Sequence, residues 1–384
     1  MTRVGLVVNP VAGLGGRVGL GGTDGPDRAR TALSLGARPL AGARAAAALG
    51  ELAARAGESA RDGLLVVTAA GRLGADSVAA AGLTERIVYA AGAGRDTSAA
   101  DTAATVRAVV AEGVDLLFFA GGDGTARDVL GALGSPGVVP CPVLGVPTGV
   151  KMHSAVFAVS PRAAGEVAAA WLARTGGVRL RDAEVMDRDE DALGEGRVTS
   201  RLFGWLPVPD VPVRVQQRKT GSTAASPEAV GGIAAEVAER VGEGLLVLGP
   251  GSTTRAVAAA LGADVSLTGV DALALRPGHP PRIVARDAGE DTLLALGPAW
   301  IALSPIGGQG FLLGRGNQQI SPRVLRAAGG RERLLVLCTE TKLAALGGRP
   351  LLLDTGDDAL DAELSGHLPV ITGRRRTSLY RLAM

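Results

Sequence analysis

The segment that most constrains the fold of this chain is Asp115–Val129, with the sequence DLLFFAGGDGTARDV. Its first part, Leu116–Ala120, is a short run of large apolar residues, typical of a strand that is buried on both faces of a parallel sheet. A glycine-rich cluster, GGDGT, then precedes a helical pattern that begins at Ala126. In open α/β sheets, such glycines let the backbone approach a phosphate, and the helix N-terminus supplies N–H groups and a positive dipole end. The segment therefore predicts a phosphate-binding turn after a central strand.

A carboxylate lies in the middle of this turn, at Asp123. A phosphate-binding turn does not need a negative charge, and Asp123 would repel the anion unless it binds a metal or accepts a proton. A hydroxyl that attacks phosphorus needs a group that accepts its proton. The combination of glycines and a central carboxylate therefore indicates phosphoryl transfer.

Strand and helix patterns alternate through the first 150 residues. Strands are predicted at Val4–Val8, Leu64–Thr68, Ile87–Ala90 and Val143–Val146, and helices at residues 39–57 and Thr97–Glu112. This alternation is typical of a three-layer, Rossmann-like α/β domain with a parallel sheet. Ligands of such sheets bind beyond the carboxyl ends of the strands, and both Asn9 and Asp123 follow such ends.

Several residues near these strand ends have two interpretations. His153 could contact substrate or pack against the next helix, and Asp24 could be a second acidic group of the site or part of a turn. The glycine-rich loop Gly15–Gly22 is either a flexible loop near a nucleotide or a surface loop. Lys151 follows a glycine turn, where it could neutralise a phosphate, and lysine otherwise occurs only at Lys219 and Lys342.

The second half of the chain has a different character. A helix at Pro161–Arg174 is followed by strand patterns with several prolines, which predict a β-rich domain: Val178–Val185, Val198–Val208 and Val211–Gln217. The buried strand Gly244–Leu248 leads into Gly249–Thr254, which repeats the strand–glycine–helix pattern. Ser252 or Thr253 could instead simply cap that helix.

Two further glycine-rich turns, Ser304–Gly310 and Gly314–Gln319, offer donors for sugar or phosphate oxygens. Arg315 in the second turn is a candidate for charge neutralisation, with a simple surface role as the alternative. The expected domains are residues 1–175, residues 176–345 and a C-terminal segment, 346–384, that packs back on the body.

Composition excludes other classes of protein. The 384 residues are 47% hydrophobic but only 3% aromatic, and the net charge is +2, so a nucleic-acid surface with stacking aromatics is not expected. The basic triplet Arg374–Arg376 is interpreted as an exposed turn. Cys141 and Cys338 have no metal-ligand spacing, and no apolar run approaches the ~20 residues of a membrane span. Because Met1 leads directly into a strand, we expect a cytoplasmic protein without a signal peptide or membrane partner.

Five segments in order carry a family resemblance: Asn9–Gly16, Gly121–Thr125, Pro147–Phe157, Gly249–Thr254 and Ser304–Gly310. Together they resemble the ATP-NAD kinase family, in particular the subgroup that also covers acetoin catabolism protein X homologues. The GGDGT cluster by itself is shared with diacylglycerol and sphingosine kinases. The resemblance implies the two-domain fold of these kinases and extends to about residue 320.

The resemblance also implies an activity. The acceptor would be the 2′-hydroxyl of the adenosine ribose of NAD, the product NADP, and the donor ATP or polyphosphate with Mg²⁺. Asp123 would be the base, and no protein metal ligand is assigned. The residues implied to hold phosphate or dinucleotide are Asn9, Gly121, Gly122, Gly124, Thr125, Lys151, Gly251, Ser252, Thr253 and Thr254. Relatives commonly form homo-oligomers, which is therefore expected here.

One departure from the family pattern puts the substrate in doubt. Familiar NAD kinases carry an Asn-Glu pair in the second domain, whereas asparagine occurs here only at Asn9 and Asn317, neither followed by glutamate. Two alternatives therefore stay open: a nucleotide-binding protein without catalysis, of the protein X type, and a kinase of a lipid or another hydroxyl compound. A NAD-dependent dehydrogenase is disfavoured, because from Gly13 the glycine pattern meets Val18 where a third glycine belongs.

Overall fold

The computed structural model describes residues 2–20, 26–57, 63–92, 97–134, 141–149, 152–174, 178–188, 200–211, 214–215, 226–307 and 309–384. The chain divides into two compact units. The first unit comprises Met1–Leu14, Thr23–Ala29 and Arg38–Arg218, and the second comprises Gly15–Gly22, Arg30–Ala37 and Lys219–Met384. The glycine-rich loop after Leu14 thus belongs to the second unit.

The first unit contains a five-stranded parallel sheet in the order β3-β2-β1-β4-β5. Its strands are β1 (Thr2–Val8), β2 (Leu64–Ala69), β3 (Thr84–Tyr89), β4 (Leu116–Gly121) and β5 (Val143–Pro147). The helices along this part of the chain are α1 (Pro26–Ser34), which contains residues of both units, α2 (Ala41–Ala56), α3 (Ala75–Ala80), α4 (Ala99–Ala111), α5 (Asp123–Leu133) and α6 (Pro161–Leu172). The predicted parallel α/β domain is confirmed.

Strand β4 is central because its side chains are apolar on both faces. Every residue of β4 is buried, and Phe118 and Phe119 are fully inaccessible to solvent. The ring of Phe119 packs edge-to-face on Phe157, with ring centroids 5.2 Å apart. By contrast, the edge strand β3 has an exposed or half-exposed side chain at each position. Burial thus fixes β4 in the interior of the sheet, and β4 delivers the GGDGT turn to the sheet's carboxyl edge.

An antiparallel ribbon completes the first unit. It consists of β6 (Arg179–Arg188) and β7 (Ser200–Asp210). Among the described residues of the strand predicted at Val211–Gln217, Val215 forms an isolated bridge with Ala158. Residues 212–213 and 216–217 lie outside the described residues.

The second unit contains a nine-stranded mixed sheet in the order β10-β9-β8-β11-β13-β15-β16-β14-β12. Its strands are β8 (Gly244–Leu248), β9 (Asp271–Leu275), β10 (Arg282–Ala285), β11 (Trp300–Leu303), β12 (Phe311–Leu313), β13 (Leu334–Leu337), β14 (Leu351–Leu353), β15 (Gly366–Gly373) and β16 (Arg376–Ala383). The helices are α7 (Pro227–Val241), α8 (Ser252–Leu261), α9 (Glu290–Ala295), α10 (Pro322–Ala328), α11 (Glu340–Ala344) and α12 (Asp358–Leu364). The predicted strand-rich second domain is confirmed, but β6 and β7, which form two of the strands from which it was predicted, belong to the first unit.

Both faces of this second sheet are covered by apolar clusters. Along β11, Ile301 and Leu303 belong to one cluster and Ala302 to the other, as the two-residue period of a strand requires. Helices α7 and α8 contribute Ile233 and Val257 to the cluster that contains Ala302. The other cluster includes residues of α10 and α12.

Residues 346–384, predicted as a segment that packs back on the body, supply three strands of the second sheet: β14, β15 and β16. Contact within the first unit continues to Arg218, beyond residue 175, where the sequence predicts a domain boundary. None of the described helices has the length and apolar character that crossing a membrane requires.

Candidate functional site

In the first unit, Asp123 is the first residue of α5 and lies directly beyond β4. It is 6% exposed. Its Oδ2 accepts a hydrogen bond from the backbone N–H of His153 at 2.7 Å, and its Oδ1 accepts one from the backbone N–H of Ser154 at 3.0 Å. The turn after β5 therefore holds both carboxylate oxygens in place.

The imidazole of His153 reaches the same carboxylate, with Nδ1 3.2 Å from Asp123 Oδ2. With His153 Nδ1 as a donor, the described residues occupy three of the roughly four acceptor positions of the carboxylate and leave one on Oδ1. One interpretation of His153 was that it packs against the next helix. That interpretation does not account for the contact between its imidazole and Asp123. The sequence suggested neither the pairing nor the backbone bonds, because they join residues 30 or 31 positions apart.

Around Asp123, the glycine turn is tied to the end of β1. Asn9 donates from Nδ2 to Thr125 Oγ1 at 3.0 Å, and Asn9 Oδ1 accepts from the backbone N–H of Val11 at 3.2 Å. Asn9 thus bonds Thr125 of the glycine turn. Gly121 is required at its position, because an added Cβ would lie 2.3–2.6 Å from side-chain atoms of Thr125.

The N-terminus of α5 faces this turn without a side-chain cap among the described residues. Gly122 is its N-cap residue, and its C=O accepts the first hydrogen bond of the helix, from Ala126. Gly124 is half-exposed in the first helical turn. The leading N–H groups and the positive dipole end are the features that bind an anion.

Two further polar groups, the hydroxyl of Thr148 and the guanidinium of Arg44, lie at the carboxyl end of β5. Thr148 is 4% exposed, and its hydroxyl has no hydrogen-bond partner among the described residues. Arg44 of α2 donates from Nε to the carbonyl oxygen of Pro147, which brings a guanidinium to the carboxyl end of β5. Neither was predicted as a site residue: Arg44 lies in no recognisable motif, and Thr148 lies in the Pro147–Phe157 segment without standing out from its neighbours. Lys151 and Asp24, both named from the sequence, lie outside the described residues.

The second unit contains a separate polar cluster, centred on Lys342 at the start of α11. Its ammonium donates to Ser304 Oγ at 2.8 Å and to Thr253 Oγ1 at 3.3 Å. These three residues follow β13, β11 and β8, which are adjacent parallel strands. The predicted Thr253 is thus joined by Ser304, which begins a turn predicted to offer donors, and by Lys342, which was not predicted as a site residue. A lysine after a buried strand, in a chain with few lysines, was the available signal.

The rest of the predicted Gly-Ser-Thr segment forms the start of α8. Gly251, at φ 138°, is the N-cap residue, so the interpretation of Ser252 or Thr253 as a cap is wrong. Ser252 is exposed. Thr254 is buried, and its hydroxyl donates to the carbonyl oxygen of Gly251 at 3.0 Å, which is a structural bond. Among the three predicted hydroxyls, that of Thr253 therefore contacts the ammonium group of Lys342.

Arg315 has neither of the roles that the sequence suggested, free charge neutralisation or a surface position. It is 5% exposed, its Nε lies 3.3 Å from Asp354 Oδ2, and its guanidinium stacks 4.6 Å from the ring centroid of Phe311. The pair is an internal ion pair of the second unit.

Mg²⁺ in phosphoryl-transfer sites is held largely by substrate phosphates together with one or two carboxylates. Within the described part of the chain, there is no group of three or more His, Cys, Asp or Glu side chains that could hold a metal. Asp123 has one acceptor position left. The described residues therefore fit, at most, a metal that arrives with phosphates.

In both units, a buried parallel strand ends in a glycine turn before a helix that no described side chain caps, an arrangement typical of α/β proteins that bind nucleotides. Comparison with protein families narrows the class. The model of the ATP-NAD kinase N-terminal domain matches residues 4–175, and that of the ATP-NAD kinase C-terminal domain matches residues 238–382. The chain therefore belongs to the ATP-NAD kinase family. Searches among curated proteins and among solved structures return no match.

Proposed function

We propose that this protein is a NAD kinase-like phosphotransferase that transfers a phosphoryl group from ATP or polyphosphate to the 2′-hydroxyl of the adenosine ribose of NAD, giving NADP. Both family domains are present, which supports phosphotransfer to this class of acceptor. The observation that carries the proposal is the fixed carboxylate of Asp123, beside a glycine turn and at the N-terminus of a helix.

In this proposal, Asp123 accepts the proton of the attacking hydroxyl at the open acceptor position of Oδ1. A positioned general base contributes roughly 10²–10⁴-fold to the rate. The backbone bonds from residues 153 and 154 keep the carboxylate from rotating, and preorganised positioning is the main contribution of a protein to phosphoryl transfer. His153 Nδ1 supports the same carboxylate.

Phosphate oxygens bind to the leading N–H groups of α5, in the turn formed by Gly121, Gly122 and Gly124. Asn9 and Thr125 fix that turn through their mutual hydrogen bond. Mg²⁺, when bound with the donor, offsets charge on its phosphates. In the second unit, the start of α8 helps to hold the dinucleotide through Thr253.

A second candidate is a nucleotide-binding protein without catalysis. The observation that favours it is the burial of Asp123, whose two oxygens both accept backbone N–H groups and so tie two turns together. In that case the carboxylate is structural, and the protein binds NAD without forming NADP.

The test is an assay of NADP formation from NAD, Mg²⁺ and either ATP or polyphosphate, with the wild type and Asp123→Asn. We expect turnover to fall roughly 10²–10⁴-fold in the variant. Asparagine also places an amide N–H₂ against one backbone N–H, so we expect about 1–3 kcal/mol of destabilisation. Both proteins are therefore assayed at a temperature at which circular dichroism shows them folded.

Asp128→Asn is the matched control, because it removes a carboxylate from the same helix. Asp128 is not in contact with the glycine turn in any described hydrogen bond, and we expect its variant to keep wild-type turnover. Equal turnover in folded Asp123→Asn would remove the base assignment. Binding of NAD by the wild type without any NADP, with either donor, would establish the second candidate.

A further inference from the structure

The ammonium group of Lys342 lacks a counter-charge in the described part of the chain. Its hydrogen bonds go to two neutral hydroxyls, Ser304 Oγ and Thr253 Oγ1. No described carboxylate lies within 4.0 Å of it. A partly buried cation without an anion is unfavourable, because it has lost water without gaining a charged partner. The arrangement is therefore incomplete as it stands.

The remaining hydrogen-bonding capacity of this cluster consists of donors. An ammonium has three N–H groups, and Lys342 uses two of them on the hydroxyls. Because each hydroxyl oxygen accepts from Lys342, the O–H groups of Ser304 and Thr253 are left to donate elsewhere. No described residue accepts from either hydroxyl. Three donors and one positive charge thus lie together, each hydroxyl within hydrogen-bond distance of the Lys342 ammonium.

The start of α8 also favours the binding of an anion near Lys342. The helix has ten residues, no acidic residue in its first turn and no side-chain cap among the described residues. Thr253 is its second residue, so the leading N–H groups and the hydroxyl belong to the same turn. A helix N-terminus carries a partial positive charge of about half a unit, which adds to that of Lys342.

The backbone holds these groups firmly. Ser304 directly follows β11, and Lys342 lies in α11, whose N-cap Thr339 accepts from the backbone N–H of Lys342 at 3.4 Å. Burial lowers the pKa of the Lys342 ammonium, and nearby Cys338 only partly opposes this shift. A bound anion would reverse the unfavourable effect of burial, because an adjacent negative charge favours the charged form.

We propose that Lys342, Ser304 and Thr253 form an anion site in the second unit, which binds a phosphate group of the nucleotide ligand. A tetrahedral oxyanion can accept from several neighbouring donors at once, whereas the ammonium charge of Lys342 would repel a cation. The inference rests on the proposed function for the identity of the natural ligand, but the anion site itself follows from the donors and the charge.

The test is isothermal titration of the full-length protein with inorganic pyrophosphate at pH 7.5. Lys342→Met keeps the length of the side chain and removes the charge, and we expect it to weaken binding roughly 10- to 100-fold. Ser304→Ala removes one donor and should weaken binding by several-fold. Arg255→Gln is the matched control, because it removes a positive charge from the exposed side of α8, and it should bind as the wild type does.

Wild-type affinity in folded Lys342→Met would overturn the proposal, as would a wild-type protein that does not bind pyrophosphate at 10 mM, roughly the weakest affinity worth measuring. If Lys342→Met does not fold, unchanged binding by Ser304→Ala overturns it. The proposed function can fail separately. Pyrophosphate binding that depends on Lys342, without NADP formation, would support the anion site and contradict the kinase activity. NADP formation by Lys342→Met at unchanged KM for NAD would support the kinase activity and contradict the anion site.

Discussion

At the scale of single residues, two threonines of the first unit have opposite relations to their surroundings. The hydroxyl of Thr148 is buried without a partner among the described residues, whereas that of Thr125 accepts from Asn9 Nδ2 at 3.0 Å. Valine has the shape of threonine but no hydroxyl. We expect Thr148→Val to stabilise the protein by about 1 kcal/mol, since it removes an unsatisfied polar group. Thr125→Val should destabilise it by about 1 kcal/mol, since Asn9 loses its acceptor.

Urea unfolding of both variants and the wild type, followed by circular dichroism, measures these differences. The two substitutions are chemically identical, so each serves as the control for the other. Destabilisation of similar size in both variants would contradict this prediction, because it would mean that the Thr148 hydroxyl has a hydrogen-bond partner in solution.

Some residues of the site could be predicted from the sequence, because their side chains are unusual for the motif in which they lie. Asp123 is such a residue, since a carboxylate is out of place in a phosphate turn. Thr148 and Arg44 carry no such conflict, because a threonine near a strand end and an arginine on a helix are ordinary. Their roles depend on the packing of β5 against other elements, which one sequence does not reveal.

At the scale of elements, α12 contains a buried acid. Asp361 is 4% exposed, and burial, helped by the charge of Asp354, raises its pKa from 3.8 to about 6, although hydrogen bonds from Thr355 oppose the shift. A raised pKa means that the folded state binds the proton more tightly than the unfolded state. The contribution of Asp361 to stability is thus fully present below pH 3.8 and is lost as the pH rises through about 6. The loss is roughly 3 kcal/mol.

Asp361→Asn should therefore be more stable than the wild type at pH 7.5, by up to roughly 3 kcal/mol, and nearly equal to it at pH 4. Denaturant unfolding across this range measures the difference. Glu363→Gln removes an exposed carboxylate from the same helix that does not contribute to the pKa of Asp361, and we expect its curve to follow that of the wild type. A constant difference between Asp361→Asn and the wild type at all pH values would contradict the raised pKa.

Elements with a strong local pattern could be predicted from the sequence. The strand Gly244–Leu248 agrees with β8 at both ends, and β4, buried on both faces, was predicted from its apolar run. The short elements α3, β10 and β12 were missed, because four to six residues, or only three in β12, give little periodicity. Strands β10 and β12 are held in place by pairing with neighbouring strands, β9 and β14.

The hairpin β15–β16 was missed for a different reason. Tight hairpin turns are usually recognised by Asn-Gly or Asp-Gly, and here the turn residues are Arg374 and Arg375, the latter at φ 53°. The arginines are exposed, as predicted for this triplet, but an arginine pair does not signal a turn between strands. The pairing is fixed instead by the apolar residues of β15 that face the core, such as Val370.

At the scale of the whole molecule, each unit has its own sheet and its own buried residues. In the first unit, strands β1 and β4 are almost wholly apolar and buried, and in the second, two clusters cover the two faces of the nine-stranded sheet. A unit of about 200 residues is large enough to unfold cooperatively on its own. Proteins with several such units commonly depart from two-state unfolding.

Differential scanning calorimetry at pH 7.5 should accordingly resolve two transitions. Thr148→Val belongs to the first unit and should raise only one of them, by about 2–4 °C for 1 kcal/mol. Asp361→Asn belongs to the second unit and should raise only the other. The double variant should show both shifts, each unchanged in size, because independent sites contribute additively. A single transition that both substitutions move would show that the two units unfold as one, in which case a ligand bound to either unit would stabilise the entire chain.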